Sequence, residues 1–363
     1  MSSPRAPAFV CFTVLGVVGA VTWARRAPTV VSPARVAPSE PAAVVSEVIP
    51  ATTASGSAPV SAPASAPAAV ASASPDPCAI PAAPAPTDPL STLFHVNRVH
   101  AIPDEYPVAG VPLWTPCNSP APPTAWPSVD LICVPRKAAL HGNEAMRQVA
   151  WESPAPSDHP TTHDGLPVGL KGRVGFGPMI TAAGAEGLEL KIRSAFRPIG
   201  TQAYVFQTWV NERLRLGMSP ADAEHHANAS SARPGHSEHQ LGTTADLVHR
   251  DRDGMYYEGW DAERISTSPP MLWLAANAHR FGLVLSYGRE TTHVTQYIWE
   301  PWHYRFVGVE AADFLHRCKL PLEAYLRARH GDPEPPPFEL PTPAAASSVA
   351  APRGKPRLSA HGG

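Results

Sequence analysis

The placement of proline limits which parts of this chain can fold. Of the 45 prolines, 14 lie in residues 27–90, where 42 of the 64 residues are Pro, Ala or Ser and none is aromatic. A segment of this composition cannot bury enough apolar surface to offset the conformational entropy that ordering costs. The sequence therefore predicts a disordered linker over residues 27–90. Clustered prolines and an Ala/Ser run predict a disordered tail over residues 331–363.

The intervening residues 91–330 contain nearly all of the aromatic side chains. A stretch of this length is enough for one domain with a single hydrophobic core. The formal net charge of the whole chain is -2, whereas nucleic-acid-binding proteins usually carry a clear basic excess on one face. We therefore expect one folded domain and no nucleic-acid partner.

The first 26 residues resemble an export segment. Arg5 precedes an uncharged, mostly apolar run over residues 6–24, and Arg25 and Arg26 close it. A charged start, an apolar middle and small residues near the end are typical of a signal peptide. The run is also just long enough to span a bilayer if it is not cleaved. We expect an exported protein of the periplasm or cell envelope, with residues 1–26 acting either as a cleaved signal or as a membrane anchor.

Four cysteines follow this segment, namely Cys78, Cys117, Cys133 and Cys318. An even number of cysteines outside the cytoplasm permits disulfide bonds. Cys117 and Cys133 are the most natural pair by spacing, and unpaired thiols are the alternative. No cysteine stands in a C-x-x-C arrangement, so a thiolate zinc site is not indicated.

Hydrophobic periodicity within residues 91–330 predicts a mixture of helices and short strands. An edge strand or ordered arm is expected over residues 93–106, and a loop-rich insertion over residues 107–167. The predicted helices cover residues 177–187, 200–216, 219–228 and 271–281, and the predicted strands cover residues 129–134, 188–194, 244–248, 283–287 and 295–299. Helices followed by antiparallel-looking strands indicate an α+β fold.

Two segments carry residues suited to metal-assisted hydrolysis. A hydrolytic zinc site needs three protein ligands, one open position for water and a carboxylate nearby that does not bind the metal. His239, Asp246 and His303 can supply two imidazoles and a carboxylate, and Glu300 is left to act as the base. Each fragment alone is a weak signal, whereas the combination in its context is not.

These segments also resemble a known family. The sequence SEHQLGTTAD over residues 237–246 fits the pattern S-x-H-x-x-G-x-x-x-D, and EPWHY over residues 300–304 fits E-x-W-H. Both patterns resemble the VanY-type D-alanyl-D-alanine carboxypeptidases, which belong to the LAS-type zinc peptidases together with lysostaphin and the hedgehog signalling domain. SAFR over residues 194–197, followed by Gln202, is similar to the family's S-x-Y-R-x-x-x-x-Q. The long insertion over residues 107–167 departs from the family pattern, and Gly288 stands where Pro is frequent.

The resemblance implies a small antiparallel sheet with flanking helices around a single zinc site. It implies one Zn²⁺ per chain, bound by His239, Asp246 and His303, with Glu300 as the general base. Arg197 is expected to stabilise the developing oxyanion, because a guanidinium is always charged and presents a planar set of donors. An ordinary structural ion pair is the alternative for Arg197.

Three further residues are expected to contact substrate. Ser237 and Gln202 would meet the terminal carboxylate or the backbone of a bound peptide, and Trp302 would pack the floor of the site. Ser237 could equally serve as a turn or cap residue, since Ser is favoured in both roles.

The resemblance implies an exported zinc carboxypeptidase that removes the terminal D-alanine from peptidoglycan stem peptides. An L,D-carboxypeptidase or a cell-wall endopeptidase on the same scaffold is the alternative, because bond choice depends on cleft shape. A wall-binding zinc module without chemistry is a further alternative, and the presence of Glu300 argues against it. A purely structural zinc site would favour four protein ligands, and the sequence motifs offer three.

Overall fold

A computed structural model of the protein describes residues 76–103, 106, 117, 130–156, 170–251 and 253–340. The predicted signal or anchor over residues 1–26, most of the predicted linker and part of the predicted insertion lie outside the described residues, as do residues 341–363 of the predicted tail. In the described part of the chain, no helix is both long enough and apolar enough to cross a bilayer.

Short strands and helices alternate through the described residues in an α+β arrangement. The strands are β1 Leu131–Cys133, β2 Ala145–Arg147, β3 Ser153–Pro154, β4 Arg173–Val174, β5 Leu190–Ser194, β6 Thr244–His249, β7 Leu283–Leu285 and β8 His303–Phe306. The helices are α1 Gln148–Trp151, α2 Phe176–Ala185, α3 Ile199–Arg215, α4 Pro220–Ser230, α5 Ala262–Ser266, α6 Pro269–Asn277, α7 Thr292–Thr295, α8 Val309–Cys318 and α9 Leu322–His330.

The central sheet has the strand order β5-β6-β8-β7, and each neighbouring pair is antiparallel. Successive side chains of a strand point to opposite faces, so each strand divides its residues between two environments. Ala245, Leu247, Tyr304 and Phe306 occupy one face and join the main core with α2 and α6. The opposite face carries the alternate residues of β6 and β8, including Asp246 and His303. The sheet thus separates a packed side from a polar side.

Helix boundaries follow recognisable local chemistry. The helix α4 begins after Ser219, whose hydroxyl oxygen accepts a hydrogen bond from the backbone N–H of Asp222, the usual arrangement of an N-cap. Pro220 occupies its first turn, where a missing N–H costs nothing. The helices α3 and α4 pack together through a small apolar cluster that includes Phe206, Val210 and Ala223. The four predicted helices are confirmed to within a few residues.

The predicted strand over residues 295–299 is wrong. Residues 292–295 form α7, and Gln296 follows in the left-handed region with φ of 62°. The last strand of the sheet is instead β8, whose four residues are all buried. Burial on both faces removes the apolar/polar alternation by which a strand is predicted, and a basic residue, Arg305, lies among the four.

The predicted linker and insertion are partly ordered. Cys78 forms a disulfide with Cys318 at the end of α8, and the Arg329 guanidinium donates to the carbonyls of Ala83 and Pro84. Residues 76–90 therefore pack on the domain, because a disulfide and side-chain hydrogen bonds supply contacts that the composition alone lacks. Within the insertion, Cys117 pairs with Cys133, as the spacing favoured, and β1 pairs with β2.

Candidate metal centre and active-site cleft

The ladder between β6 and β8 brings two of the predicted ligands together. Asp246 lies directly opposite His303 in this antiparallel pair, and side chains of opposed residues project from the same face. Because 57 residues of sequence separate them, no local periodicity could have shown this contact. The sheet register is what fixes the spacing of the site.

The third predicted ligand comes from the turn before β6. His239 lies in the 3-10 turn Glu238–Leu241, which ends at Gly242 in the left-handed region with φ of 71°. A Cβ at Gly242 would lie 2.9 Å from Cγ of Arg147, so both the conformation and the space require glycine. This bend lets the chain enter β6 with His239 facing Asp246.

The three side chains form a compact, buried donor set. The Nε2 atom of His239 lies 3.4 Å from Oδ1 of Asp246, and Nδ1 of His303 lies 3.2 Å from the same oxygen. All three donor atoms lie within 4.8 Å of one another. Among the described residues, Nε2 of His239 and Oδ1 of Asp246 are buried without a hydrogen-bond partner. Orphaned buried polar atoms are rare, and a cation held between them would satisfy both.

Hydrogen bonds on the far side of each imidazole select the free nitrogen. Nδ1 of His239 lies 2.7 Å from the carbonyl oxygen of Ala195, so this nitrogen donates and Nε2 keeps its lone pair. Nε2 of His303 lies 3.0 Å from Oε2 of Glu238, which leaves Nδ1 facing Asp246. Metal-binding histidines typically donate their second N–H to a carbonyl or carboxylate in this way. The donor set therefore fits a divalent metal such as zinc.

Sequence reasoning did not identify Glu238 as part of the site. Its Oε1 accepts from Arg305 at 2.8 Å, and its Oε2 accepts from the Ser286 hydroxyl at 2.6 Å. Burial tends to raise the pKa of Glu238, but Arg305 and His303 lower it to about 2. Glu238 is thus a fixed anion behind His303. Its position beside His239 in the sequence was the available signal, whereas its contacts with residues 286, 303 and 305 were not visible.

Burial and mutual charge shift the pKa values of the predicted ligands. Burial lowers the pKa of His239 to about 4, and the nearby Arg197 adds to the effect. Burial opposes ionisation of Asp246, yet its two histidine neighbours hold the pKa of that carboxyl well below its usual range. His239 is consequently neutral and Asp246 ionised at neutral pH, the protonation states that a metal requires of these two ligands. Burial acts to lower the pKa of His303, but its contacts with Asp246, Glu238 and Glu300 outweigh burial and raise that pKa well above the usual histidine value.

Glu300 lies beside the donor set. Its Oε2 is 3.4 Å from Nδ1 of His303, and burial raises its pKa above the ordinary glutamate value. When the pKa of a carboxylate is raised toward the working pH, the group can take up a proton and release it again in the same reaction cycle. The position and the direction of the shift both match the predicted role of Glu300.

Arg197 supplies a buried positive charge at the same site. Burial lowers its pKa, while Asp246 and Glu300 act in the opposite direction. In the described part of the chain, its Nε has no hydrogen-bond partner, and its side chain lines the cleft. A guanidinium that lines a cleft can bind an anionic group of a ligand.

The predicted site residues surround one cleft, with a single exception. The cleft has a volume of about 510 Å³, and its lining includes Ser237 and Trp302. Ser237 also precedes the 3-10 turn as its N-cap residue. Gln202 does not line the cleft, because its buried amide donates to Ser231 Oγ and to the carbonyl of Ala232. The contacts of Gln202 therefore position a wall segment, in place of the predicted substrate contact.

Aromatic residues that the sequence reasoning missed complete the cleft. The ring centroid of Tyr287 lies 4.6 Å from that of His303. Trp260 packs against Trp302 with centroids 4.9 Å apart, and the guanidinium of Arg193 lies 3.8 Å from the centre of the Trp260 ring. The three residues that were not predicted, Tyr287, Trp260 and Arg193, all line the cleft. They come from separate loops and strands, so sequence spacing gave no signal for them.

Comparison with known proteins shows what the part of the chain around this cleft is similar to. The family model for VanY, described as D-alanyl-D-alanine carboxypeptidase, matches residues 174–309, a range that contains each of the predicted site residues. A D-alanyl-D-alanine carboxypeptidase of Enterococcus faecalis strain ATCC 700802 / V583 is 35% identical over 148 residues, which is 41% of this chain and 51% of the relative. The match thus spans about half the length of that relative.

Two solved structures are similar to this chain in sequence over most of their length, with TM-scores below 0.5. A vancomycin-resistance D,D-pentapeptidase, a VanY variant from a VanB-type cassette in complex with Zn(II), is 27% identical with a TM-score of 0.44, covering 65% of this chain and 98% of that chain. The LD-carboxypeptidase LdcB is 24% identical with a TM-score of 0.45, covering 66% of this chain and 88% of that chain.

Proposed function

We propose that the protein, whose residues 174–309 match the family model for VanY D-alanyl-D-alanine carboxypeptidases, is a zinc-dependent carboxypeptidase acting on the D-alanyl-D-alanine end of peptidoglycan stem peptides. The observation that carries the proposal is the buried set of His239, Asp246 and His303 on the cleft, with Glu300 and Arg197 beside it. Three ligands leave a coordination position for water, which distinguishes a catalytic zinc from a closed structural one.

Each side chain has a defined task in this proposal. His239, Asp246 and His303 hold the zinc, which, when bound, makes water acidic enough to be deprotonated at neutral pH and polarises the scissile carbonyl. Glu300 accepts the proton of the attacking water at a carboxylate oxygen and then delivers it to the leaving amine nitrogen. The buried position of Glu300 suits both transfers, because it holds the carboxylate next to His303.

Arg197 is proposed to stabilise negative charge on the substrate. Its guanidinium faces the cleft close enough to Asp246 and Glu300 for their charges to act on it. A fixed donor aimed at the oxygen where charge develops lowers the barrier without reorganisation during the reaction. The aromatic residues Trp302, Trp260 and Tyr287 shape the walls around the peptide and limit access of bulk water.

The test is mass spectrometry of the intact, zinc-loaded chain incubated with a stem pentapeptide ending in D-Ala-D-Ala and, separately, with the tetrapeptide. Loss of one alanine from the pentapeptide, abolished by chelation and restored by Zn²⁺, is the expected result. Cleavage of the tetrapeptide alone would contradict the proposal and indicate an L,D-carboxypeptidase. No cleavage of either peptide by zinc-loaded protein would also contradict it and indicate an endopeptidase or a wall-binding module.

We further propose that the protein acts outside the cytoplasm, with residues 1–26 as its export signal or anchor. The apolar run between Arg5 and Arg25 supports this, and so do the disulfides Cys78–Cys318 and Cys117–Cys133, which form in oxidising compartments. Cell fractionation of the tagged full chain, followed by thiol labelling, is the check. Recovery in the cytoplasm with reduced cysteines would overturn this part of the proposal.

A further inference from the structure

A second group of histidines lies outside the active-site cleft. His95 and His100 belong to the arm that precedes the insertion, and His330 is the last residue of α9. Their ring centroids are separated by 4.6 Å for His95 and His100, and by 4.9 Å for each of the other two pairs. Each of the three offers a ring nitrogen within 4.8 Å of the other two. None of them lines the cleft.

A carboxylate completes this group. Oδ2 of Asp332 lies 2.7 Å from Nε2 of His100 and 3.5 Å from Nδ1 of His95. Asp332 reaches this position because Gly331 ends α9 in the left-handed region with φ of 72°, and the backbone N–H of Asp332 then bonds to the carbonyl of Arg327. The helix end therefore turns a carboxylate toward the three imidazoles.

The arm is held in place by a separate set of hydrogen bonds. Oδ1 of Asn97 accepts from the backbone N–H groups of Val99 and His100, at 2.8 and 2.7 Å, which fixes the turn that presents His100. Nδ2 of the same side chain donates to Oε1 of Glu323 at 2.8 Å. The arrangement of the group is thus built by the backbone and by buried polar contacts.

The two ring nitrogens of His95 face different carboxylates. Its Nε2 lies 3.1 Å from Oε2 of Glu323 and 3.0 Å from Nδ2 of Asn97, and its Nδ1 lies 3.5 Å from Oδ2 of Asp332. The side chain of His95 is fully buried. Among the described residues, His95 Nδ1 and His330 Nε2 are both buried without a hydrogen-bond partner.

We propose that His95, His100, His330 and Asp332 bind a second zinc ion, which clips the arm to the end of α9. A cation between the inward-facing nitrogens and Asp332 would satisfy both orphaned atoms. Three imidazoles and one carboxylate form a four-ligand set of the type that zinc accepts. Glu323 behind His95 matches the carboxylate that commonly orients a metal-binding histidine. With four protein ligands this site is closed and structural.

The test counts zinc in the intact, disulfide-bonded chain after dialysis against a zinc buffer. The wild type is expected to hold two equivalents by elemental analysis. His330→Gln and Asp332→Asn are each expected to hold one, and His303→Gln, the matched variant in the cleft, is also expected to hold one. The double variant H303Q/H330Q should hold none. Neither H330Q nor D332N alters a residue of the cleft.

A thermal measurement separates the two sites independently of catalysis. In the His303→Gln background, added Zn²⁺ is expected to raise the melting temperature, and the further change His330→Gln should abolish that shift. One equivalent in the wild type, retained in H330Q and lost in H303Q, would overturn the second site and leave the proposed function intact. An unchanged zinc content in both H330Q and D332N would overturn it as well. The reverse result, with zinc lost only in H330Q, would support the second site and contradict the catalytic one.

Discussion

The two histidine clusters of this domain have similar ligand types and different surroundings. The cleft cluster has His239, Asp246 and His303 fixed by a strand ladder and a glycine-ended turn, and it adjoins Glu300, the proposed base, and the buried guanidinium of Arg197. The cluster of His95, His100 and His330 lies outside the cleft, and Asp332, the proposed fourth ligand, lies beside two of its imidazoles. A cluster of donors therefore indicates chemistry only when a reacting group can enter and a base lies beside it.

The two clusters also differ in what fixes the distances between their side chains. In the cleft, the distance between Asp246 and His303 is set by the hydrogen-bond register of two central strands. In the arm cluster, the spacing depends on an arm joined to α9 by side-chain contacts such as the hydrogen bond from Asn97 to Glu323. A catalytic site needs reacting groups held to within a fraction of an ångström, which a sheet provides better than an arm.

The largest expected effect comes from removing Glu300, the proposed base beside the cleft cluster. Glu300→Gln should lower kcat/KM for the D-Ala-D-Ala pentapeptide by about 10³-fold or more, because a general acid and base contributes roughly 10²–10⁴-fold. The amide is similar in size, so the donor set should still bind zinc. Peptide hydrolysis and zinc content are measured on the same sample, and Glu323→Gln serves as the matched change behind the arm cluster. Turnover near the wild-type rate in E300Q would remove the main distinction between the clusters.

Arg197 gives the second test of that distinction. Arg197→Met should lower kcat by about 10²–10³-fold, the range found when one donor to a developing oxyanion is lost. Arg193→Met is the matched control, because Arg193 lines the same cleft but packs on Trp260 and donates to the carbonyl of Glu258. Steady-state kinetics of both variants separate the roles, since loss of wall packing should mainly raise KM. Equal losses of kcat in R197M and R193M would contradict the assignment.

The sequence could predict residues that lie in short motifs, but not contacts between residues far apart in the chain. His239, Asp246, Glu300 and His303 could be predicted because ligand types and short motif spacings survive in linear sequence. Glu238 stayed hidden because a carboxylate beside a ligand reads as a surface residue until Arg305, 67 positions later, is placed against it. Contacts of that separation are set by strand register, which short motifs do not encode.

The arm cluster was beyond prediction for a related reason. His95 and His330 are 235 residues apart, and each looks like an isolated histidine in the sequence. The order of residues 76–90 was missed because their composition favours disorder, whereas a disulfide and the guanidinium of Arg329 hold them. The four helices were predictable because amphipathic periodicity and caps are local.

The disulfide Cys78–Cys318 should matter more for the stability of the domain than for peptide hydrolysis in the cleft. The double change Cys78→Ser and Cys318→Ser opens a link between residues 240 positions apart and should lower the free energy of unfolding by about 2–4 kcal/mol. Denaturant unfolding measures the loss, and the Cys117→Ser/Cys133→Ser pair, which closes a much shorter loop, is the control. Peptide hydrolysis by the folded C78S/C318S protein should remain within about twofold of wild type, since distant sites couple weakly. A large loss of kcat would contradict this and show that the Cys78–Cys318 disulfide and the cleft are coupled.

The smallest expected effect concerns Glu238, the carboxylate behind His303 in the cleft cluster. Glu238→Gln should weaken zinc binding in the cleft by about 10–100-fold, because such an outer carboxylate orients the imidazole and raises its basicity. The amide oxygen can take the place of Oε1 and still accept from Arg305, so the fold should persist. The amide nitrogen then replaces Oε2, the acceptor that faces Nε2 of His303, and the negative charge is removed. Chelator competition, read as activity against free zinc, gives the affinity, and activity at saturating zinc should recover most of the wild-type kcat. If activity is lost even at saturating zinc, Glu238 does more than position His303. If the affinity is unchanged, the strand register alone positions that ligand, and the carboxylate serves chiefly to neutralise Arg305.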